Sequence, residues 1–328
     1  MPEGKFVVAG LDVWAPAVRQ VLLAEAPPEL ELRFAGSFDR PEQMALARDA
    51  HFIIAGRAAI DAEMIGAATK LRFIQKWGIG IDRLDVDAAR ARGIPVAIAA
   101  GSNSNPVSEH AILLMLATLR RLPLVDSSAR KGKWISQEMR TICMQLTGRT
   151  VGIVGFGNVG RLVALKLRGF ETKNLYFDMS RADKITERAF NATYRPLDEL
   201  LAESDIITLH APLTPETEHL INEKTLARMQ KHAVLINTAR GGLVDEKALY
   251  EALKAKTIFG AGLDVFDAEP LPADHPLLTL DNVVITPHTS ASVFDNVPNV
   301  VRHVLGNIMR IVNGEELPSA DVIVPQKH

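Results

Sequence analysis

Short runs of β-branched and aliphatic residues alternate with stretches of helical spacing along almost the whole chain. The runs predicted as strands span residues 6–9, 52–55, 72–75, 95–98, 150–154, 174–177, 205–209, 233–237, 258–263 and 283–286. Strands that alternate with helices in this way predict parallel sheets with helices on their faces. The sequence therefore predicts an α/β protein built on a doubly wound parallel sheet.

The chain length of 328 residues suits two lobes better than one hydrophobic core. A helix predicted over residues 106–120 would join the two lobes. Asn105 fits its N-cap, Pro106 fits its first turn, and Glu109 complements the positive end of its dipole. A last helix, predicted over residues 297–312, follows the final strand and would return to the first lobe.

Composition and charge exclude several classes of partner. The formal net charge of -2 gives no basic surface for nucleic acid or an anionic membrane. Cys143 is the single cysteine, so no internal disulfide can form, and a reducing compartment is favoured. Residues 1–13 lack a signal-peptide pattern, and the most apolar stretch, residues 111–117, is too short to span a membrane. We expect a cytoplasmic protein.

A glycine-rich turn follows the strand predicted at residues 150–154 and opens a helix. In this context Gly155 permits a tight turn, Gly157 lets a pyrophosphate approach the backbone, and Gly160 lets helix and strand pack closely. The N–H groups at the helix start, around Asn158 and Val159, can then bind phosphates. The turn predicts a dinucleotide-binding lobe, although glycines that serve packing alone would produce the same spacing.

Asp178 ends the next predicted strand, 18 residues beyond Gly160. A carboxylate there can accept hydrogen bonds from a ribose 2′-OH and repels a 2′-phosphate, so NAD is favoured over NADP as the cofactor. Arg181 lies three residues further on and could weaken this preference.

Reactive side chains follow three more predicted strands, at the end of a parallel sheet where ligands bind. The guanidinium of Arg240 suits bidentate binding of a carboxylate. His288 can donate the proton that carbonyl reduction requires. Asp264 and Glu269 lie in an acidic loop, and one of these carboxylates could orient the imidazole. Each side chain could also be an ordinary solvated loop residue, and no metal site is predicted.

Together these segments resemble the D-isomer-specific 2-hydroxyacid dehydrogenase family. Further matches are the runs at residues 78–82, 107–110 and 210–214, together with Asn103. The resemblance implies a Rossmann-type NAD-binding domain over residues 104–293. It also implies a discontinuous, flavodoxin-like substrate domain made of residues 1–103 and 294–328, a cleft that closes over substrate, and a homodimer.

The resemblance also implies roles for individual residues. The implied catalytic residues are Arg240, Glu269 and His288. A small carboxylate substrate would be bound by Arg240, His288 and the N–H groups around Ile79 and Gly80. The implied cofactor-binding residues are Gly155, Gly157, Asn158, Val159, Gly160, Asp178, His210, Pro212, Thr217, Thr238, Ala239 and Asp264. The implied reaction passes a hydride between NAD(H) and the 2-carbon of the acid, with His288 as acid and base and Glu269 as its partner.

Two family activities are disfavoured, because formate dehydrogenases carry Gln at the position of Glu269 and phosphite dehydrogenases carry Lys at that of Ile79. Reduction of glyoxylate or hydroxypyruvate and the activity of a short 3-phosphoglycerate dehydrogenase both stay open. Thr289, Ser290 and Ala291 stand where family members often have small, glycine-type residues after the histidine. An alternative of another class is an NADH-sensing protein, similar to the family's corepressors, with little turnover.

Overall fold

Two mainly parallel sheets, each covered by helices, make up this computed structural model, which describes residues 5–326. The predicted α/β fold is confirmed. The chain divides into one unit of Met1–Asn103 with Val293–His328 and a second unit of Ser104–Ser292. The outermost residues of the predicted substrate domain, 1–4 and 327–328, lie outside the described part.

The first unit begins with alternating strands and helices. In chain order they are β1 (Phe6–Gly10), α1 (Pro16–Glu25), β2 (Leu30–Phe34), α2 (Arg40–Asp49), β3 (Phe52–Ala55), α3 (Ala62–Ala67), β4 (Phe73–Lys76), α4 (Val86–Ala91) and β5 (Val96–Ala97). All of these strands pair in parallel. Strand β2 was not among the predicted strands, because its LELRF run contains no β-branched residue, although its alternation of apolar and charged residues is typical of a half-buried strand.

The second unit opens with three helices and continues into a seven-stranded sheet. Its elements are α5 (Ser104–Leu119), α6 (Leu122–Arg130), α7 (Ser136–Met139), β6 (Thr150–Val154), α8 (Asn158–Lys166), β7 (Lys173–Phe177), α9 (Lys184–Ala189), β8 (Ala192–Tyr194), α10 (Leu197–Glu203), β9 (Ile206–Leu209), α11 (Glu223–Leu226), β10 (Val234–Asn237), α12 (Glu246–Lys254), β11 (Gly260–Leu263) and β12 (Val283–Ile285). The sheet order is β12-β11-β10-β9-β6-β7-β8, and every pairing is parallel.

The chain then returns to the first unit through α13 (Val297–Asn313) and β13 (Val322–Val324). The apolar face of α13 packs into the same core as β1, β3 and β4, and Gly314 closes the helix with a φ of 72°. Strand β13 pairs antiparallel with β5 and completes the order β13-β5-β4-β3-β1-β2. No helix within residues 5–326 combines the length and the apolar content that a membrane crossing requires.

The start of α5 differs from the prediction. The helix begins at Ser104, so Asn105 lies inside it and is not its N-cap, as was predicted. The Asn105 side chain instead accepts a hydrogen bond from Lys166 Nζ at 2.9 Å. A long-range partner for the amide has thus replaced the local capping role.

The sheet of the second unit is buried on both faces at its centre. All four residues of β9 and all four residues of β10 are buried, as is typical of central strands in a parallel sheet covered by helices. Leu235 of β10 is 0% exposed and belongs to the larger core of this unit. The central strands therefore hold their carboxyl ends in fixed positions.

We expect Leu235→Ala to lower the free energy of unfolding by about 2–5 kcal/mol, because the cavity cannot collapse between two packed layers. The matched control is Leu278→Ala, since Leu278 is 46% exposed, and its effect should stay within about 0.5 kcal/mol. Urea unfolding followed by circular dichroism measures both. Equal midpoints for the two variants would contradict a dry core around β10.

Candidate active site

The last residues of six strands in the second sheet are paired in register, in the order Phe177, Val154, Leu209, Asn237, Leu263 and Ile285. The residues that come next in the chain therefore follow one another along a single edge of the sheet. In the same order these residues are Asp178, Gly155, His210, Thr238, Asp264 and Thr286. All of them except Thr286 are among the residues predicted to bind NAD. The register of the sheet thus gathers side chains that lie far apart in sequence.

The glycine-rich turn leaves space where a phosphate is expected. Gly155 has a φ of 92°, and a Cβ on it would collide with the backbone of His210. A Cβ on Gly160 would collide with the Gly155 carbonyl, whereas one on Gly157 would meet no atom within 4 Å. Helix α8 has no side-chain cap, so the N–H groups near Asn158 and Val159 are open to an anion. The turn therefore fits a dinucleotide pyrophosphate.

Asp178 is tied to the glycine-rich turn by its own carboxylate. One oxygen accepts a hydrogen bond from Phe156 N–H at 2.7 Å, and the other accepts one from Ser180 N–H at 3.2 Å. The residue keeps part of its surface exposed. It can therefore still accept hydrogen bonds from a ribose.

Arg181, the residue that could weaken the preference for NAD, is bound by Glu187. Its Nε lies 3.0 Å from a Glu187 oxygen, and Lys184 Nζ lies 2.7 Å from the other oxygen. The hydrogen bond from Lys184, which has the larger effect, and the one from Arg181 lower the pKa of Glu187 to about 2. The Tyr176 hydroxyl also donates to this carboxylate at 3.1 Å. Glu187 therefore competes with any ligand for both cations that follow Asp178.

His210 follows β9 and is held by Thr208. Its Nε2 lies 2.9 Å from Thr208 Oγ1. Although the residue keeps some exposed surface, desolvation lowers the pKa of its imidazole to about 3. The ring is therefore uncharged at neutral pH. Two residues after His210, the Pro212 carbonyl accepts a hydrogen bond from Thr217 Oγ1 at 2.7 Å. This hydrogen bond fixes the turn between Pro212 and Thr217.

The residues after β10 include an unsatisfied hydroxyl. Thr238 Oγ1 is buried and has no hydrogen-bond partner among residues 5–326. The next N–H, from Ala239, donates to Asn237 Oδ1 at 3.0 Å. A buried hydroxyl without a partner is costly unless a ligand or water satisfies it. Thr238 thus fits its predicted place beside a bound cofactor.

Arg240 lies in a loop that Asn237 organises. The Asn237 amide donates to the Arg240 carbonyl at 2.7 Å, and the Arg240 guanidinium donates to the Ala239 carbonyl at 2.6 Å. A Cβ on Gly241 would collide with the backbone of Phe266 and Asp267. The loop that carries Arg240 is therefore packed directly on the loop that leads to Glu269.

His288 and Glu269 form a hydrogen-bonded pair. His288 Nδ1 lies 2.7 Å from Glu269 Oε2, and the two side chains are 35% and 16% exposed. The other carboxylate oxygen of Glu269 accepts a hydrogen bond from Phe266 N–H at 3.1 Å. Since Nδ1 faces the carboxylate, Nε2 points the other way along the ring. The pair has the arrangement of an imidazole whose free nitrogen exchanges a proton with a substrate.

Two sets of predicted contacts are not tested by this geometry. Asp264 is 0% exposed, and its partners in the structure are protein groups, so its contact with the nicotinamide carboxamide remains a prediction. Ile79 and Gly80 belong to the first unit, in the loop after β4, and their contact with a carboxylate likewise remains a prediction. No group of three or more His, Cys, Asp or Glu side chains within residues 5–326 has the geometry of a metal site.

Sequence reasoning missed three residues of this edge. Asn237 holds the Arg240 loop, Thr286 donates to Asp264, and His110 contacts Thr286. Asn237 and Thr286 occupy strand ends, so the strand-end rule that singled out Arg240 and His288 could have found them. His110 lies on α5, and its place beside Thr286 depends on tertiary packing.

Comparisons with known proteins find relatives over most of the chain. Residues 112–290 match the family model "D-isomer specific 2-hydroxyacid dehydrogenase, NAD binding domain". The chain is 39% identical over 311 residues to a glyoxylate reductase of Korarchaeum cryptofilum, which covers 94% of this chain and 88% of that protein.

Two further relatives are of different kinds. Identity to a D-3-phosphoglycerate dehydrogenase of Archaeoglobus fulgidus is 40% over 266 residues, which covers 80% of this chain but only 49% of that protein. The chain thus spans about half the length of that relative. The crystal structure of a D-lactate dehydrogenase from Aquifex aeolicus, complexed with NAD and lactic acid, superposes with a TM-score of 0.85 at 28% identity, covering 98% of this chain and 100% of that one.

We expect His210→Gln to weaken the dependence of stability on acid. The folded pKa of about 3 lies below the unfolded value of 6.5. Below pH 6.5 the unfolded chain therefore binds a proton that the folded chain excludes, and stability falls as the pH falls toward 3. Urea unfolding at pH 7, 6 and 5 should show the wild type losing up to about 1.4 kcal/mol per pH unit more than the variant. Parallel curves would show that the ring is not desolvated.

Proposed function

Since the chain belongs to the D-isomer specific 2-hydroxyacid dehydrogenase family, we propose that it reduces a short 2-keto acid to the D-2-hydroxy acid. Family membership makes it an NAD-dependent oxidoreductase that acts on CH–OH groups. The observation that carries the proposed assignment of catalytic residues is the His288–Glu269 pair, at 2.7 Å, beside the loop of Arg240.

Each of the three side chains has a distinct task in the proposed reaction. When bound, NADH supplies the hydride that reduces the 2-keto carbon. His288 Nε2 donates a proton to the carbonyl oxygen as the hydroxyl forms, and in the reverse direction it accepts that proton. Glu269, on the opposite side of the ring, stabilises the positive charge of the imidazolium. Arg240 binds the substrate carboxylate and orients the carbonyl.

The cofactor-binding residues are proposed from the edge of the second sheet. The phosphates would bind at Gly155, Gly157 and Gly160 with the first N–H groups of α8, and the adenosine ribose would bind Asp178. The buried Thr238 hydroxyl, for which residues 5–326 offer no partner, and the open space at Gly157 support this placement. His210, Pro212, Thr217, Ala239 and Asp264 complete the proposed set.

Glyoxylate and hydroxypyruvate are the substrates we propose first. The glyoxylate reductase relative matches 94% of this chain and most of its own length, whereas the phosphoglycerate dehydrogenase relative is matched over half of its length. We further propose that the first unit is the substrate domain, with Ile79 and Gly80 binding the carboxylate, and that the second unit binds NAD. The cytoplasmic location and the homodimer expected from the sequence belong to the same proposal.

We expect the protein to oxidise NADH in the presence of glyoxylate or hydroxypyruvate. The same assay tests pyruvate, 3-phosphohydroxypyruvate and longer 2-keto acids. His288→Ala should lower kcat by about 10²–10⁴-fold, because the reaction loses its proton donor. The control is His232→Ala, since His232 pairs with Asp205 at the opposite end of the strands, and its kcat should change less than about twofold. Tight NADH binding without oxidation of any acid would favour the NADH-sensing alternative. Full activity of His288→Ala would refute the assignment of the proton donor.

We expect Asp178→Ala to lower the preference for NADH over NADPH by about tenfold or more, because a charge-assisted hydrogen bond is lost and a repulsive charge is removed. Dissociation constants from NAD(P)H fluorescence and the two kcat/KM values give independent ratios. The control is Asp183→Ala, which removes an exposed carboxylate of the same segment that caps α9. If both variants shift the ratio equally, Asp178 has no specific contact with the ribose.

A further inference from the structure

His288 adopts a backbone conformation that its side chain disfavours. Its φ is 53°, in the left-handed region that L-residues other than glycine rarely occupy. Neighbouring contacts must compensate for the energy that this conformation costs. The proposed proton donor therefore has its position set by the groups that bind residues 288–290.

Asp264 makes most of those contacts. Its carbonyl accepts a hydrogen bond from His288 N–H at 2.7 Å. Its two carboxylate oxygens accept hydrogen bonds from Thr289 N–H at 2.8 Å and Ser290 N–H at 2.9 Å. The side chain is 0% exposed, so water cannot replace these bonds. One buried carboxylate thus binds the turn that carries His288.

Thr286 and His110 hold that carboxylate in turn. Thr286 Oγ1 donates to Asp264 Oδ1 at 2.6 Å. His110 Nε2 lies 2.9 Å from the same hydroxyl and 3.6 Å from Asp264 Oδ1. The hydroxyl has a single hydrogen, which it gives to the carboxylate, so it can only accept from the imidazole. His110 Nε2 must therefore carry a proton.

We propose that His110 is a positioning residue for His288, which it orients through Thr286 and Asp264. The proposal rests on the function proposed above and adds to it two residues, His110 and Thr286, outside the predicted site. His110 is 14% exposed on the side chain and comes from α5, a different element from the strand ends. The Nε2 proton of His110 binds Thr286 Oγ1, the hydroxyl that donates to Asp264.

The mutational experiment compares variants with and without the donor at each of the two positions. Thr286→Val and His110→Leu remove the hydroxyl and the N–H, whereas Thr286→Ser and His110→Gln retain a donor. We expect the first two to lower kcat with glyoxylate or hydroxypyruvate by about 10–100-fold, because small displacements of a proton donor are costly. The KM for the keto acid and the dissociation constant of NADH should change less than about twofold. The Ser and Gln variants should recover most of the loss.

Glu109→Gln is the matched control, since Glu109 lies next to His110 on α5 with a side chain that is 68% exposed, and it should leave kcat unchanged. Three results would overturn the proposal. The first is an unchanged kcat in Thr286→Val and His110→Leu, and the second is a kcat of the Ser and Gln variants that is no higher than that of the Val and Leu variants. The third is a loss of kcat that is proportional to a loss of NADH affinity. The last result would mean that the network serves the cofactor and not the turn.

A second measurement does not depend on turnover. Nitrogen-15 NMR of histidine-labelled wild-type protein, with the His110 signals assigned from their absence in His110→Gln, shows which ring nitrogen carries a proton. We expect the proton on Nε2, whereas a neutral ring protonated only at Nδ1 would overturn the network. If no keto acid is reduced but the proton is on Nε2, the proposed function fails while the arrangement around Asp264 stands.

Discussion

The register of the second sheet is the constraint on which the candidate site depends. Six parallel strands end at the same level, so the residues after them lie in one row, from Asp178 through Gly155 to Thr286. A shift of one residue in a parallel strand would turn each of its side chains to the other face. Because β9 and β10 are buried on both faces, such a shift in either of them would disrupt packing on both sides, and the centre of the row stays fixed.

Asp178 and Asp264 of this row, and Glu269 in the loop after Asp264, bind backbone N–H groups in the same manner. Asp178 accepts the N–H of Phe156 in the glycine-rich turn, Glu269 accepts that of Phe266, and Asp264 accepts two N–H groups after His288. Both oxygens of Asp178 and one oxygen of Glu269 accept backbone N–H groups, and the other Glu269 oxygen faces His288 Nδ1. In Asp264 each oxygen accepts a backbone N–H group, from Thr289 and from Ser290. Preorganisation of this kind places charges before any ligand arrives.

The sequence alone predicted the strand ends but not the contacts between elements. Arg240, Glu269 and His288 could be found because each follows a run of apolar residues, and parallel sheets bring such ends together. Strands β2, β8 and β13 were missed, because they are edge or near-edge strands with short or polar patterns. The capping role predicted for Asn105 was wrong, and the contact of His110 with Thr286 spans 176 residues. Local pattern carries no information on such pairs.

Left-handed residues and buried polar atoms without a partner among residues 5–326 occur at both ends of the second sheet. At the amino ends, Ser204 Oγ before β9 has no partner among these residues, and Glu171 before β7 has a φ of 55°. At the amino ends of the strands the Asp205 carboxylate is fully engaged, by Thr150 N–H at 2.8 Å and by His232 at 2.6 Å. At the carboxyl ends, His288 is left-handed and the buried hydroxyl of Thr238 has no partner in the described part of the chain. Each of these features costs stability, and such costs persist where the surrounding structure enforces them and a ligand benefits. What sets the carboxyl ends apart is therefore where these features lie: Thr238 precedes the loop of Arg240, and His288 itself pairs with Glu269. Binding and proton transfer are to be expected at that end.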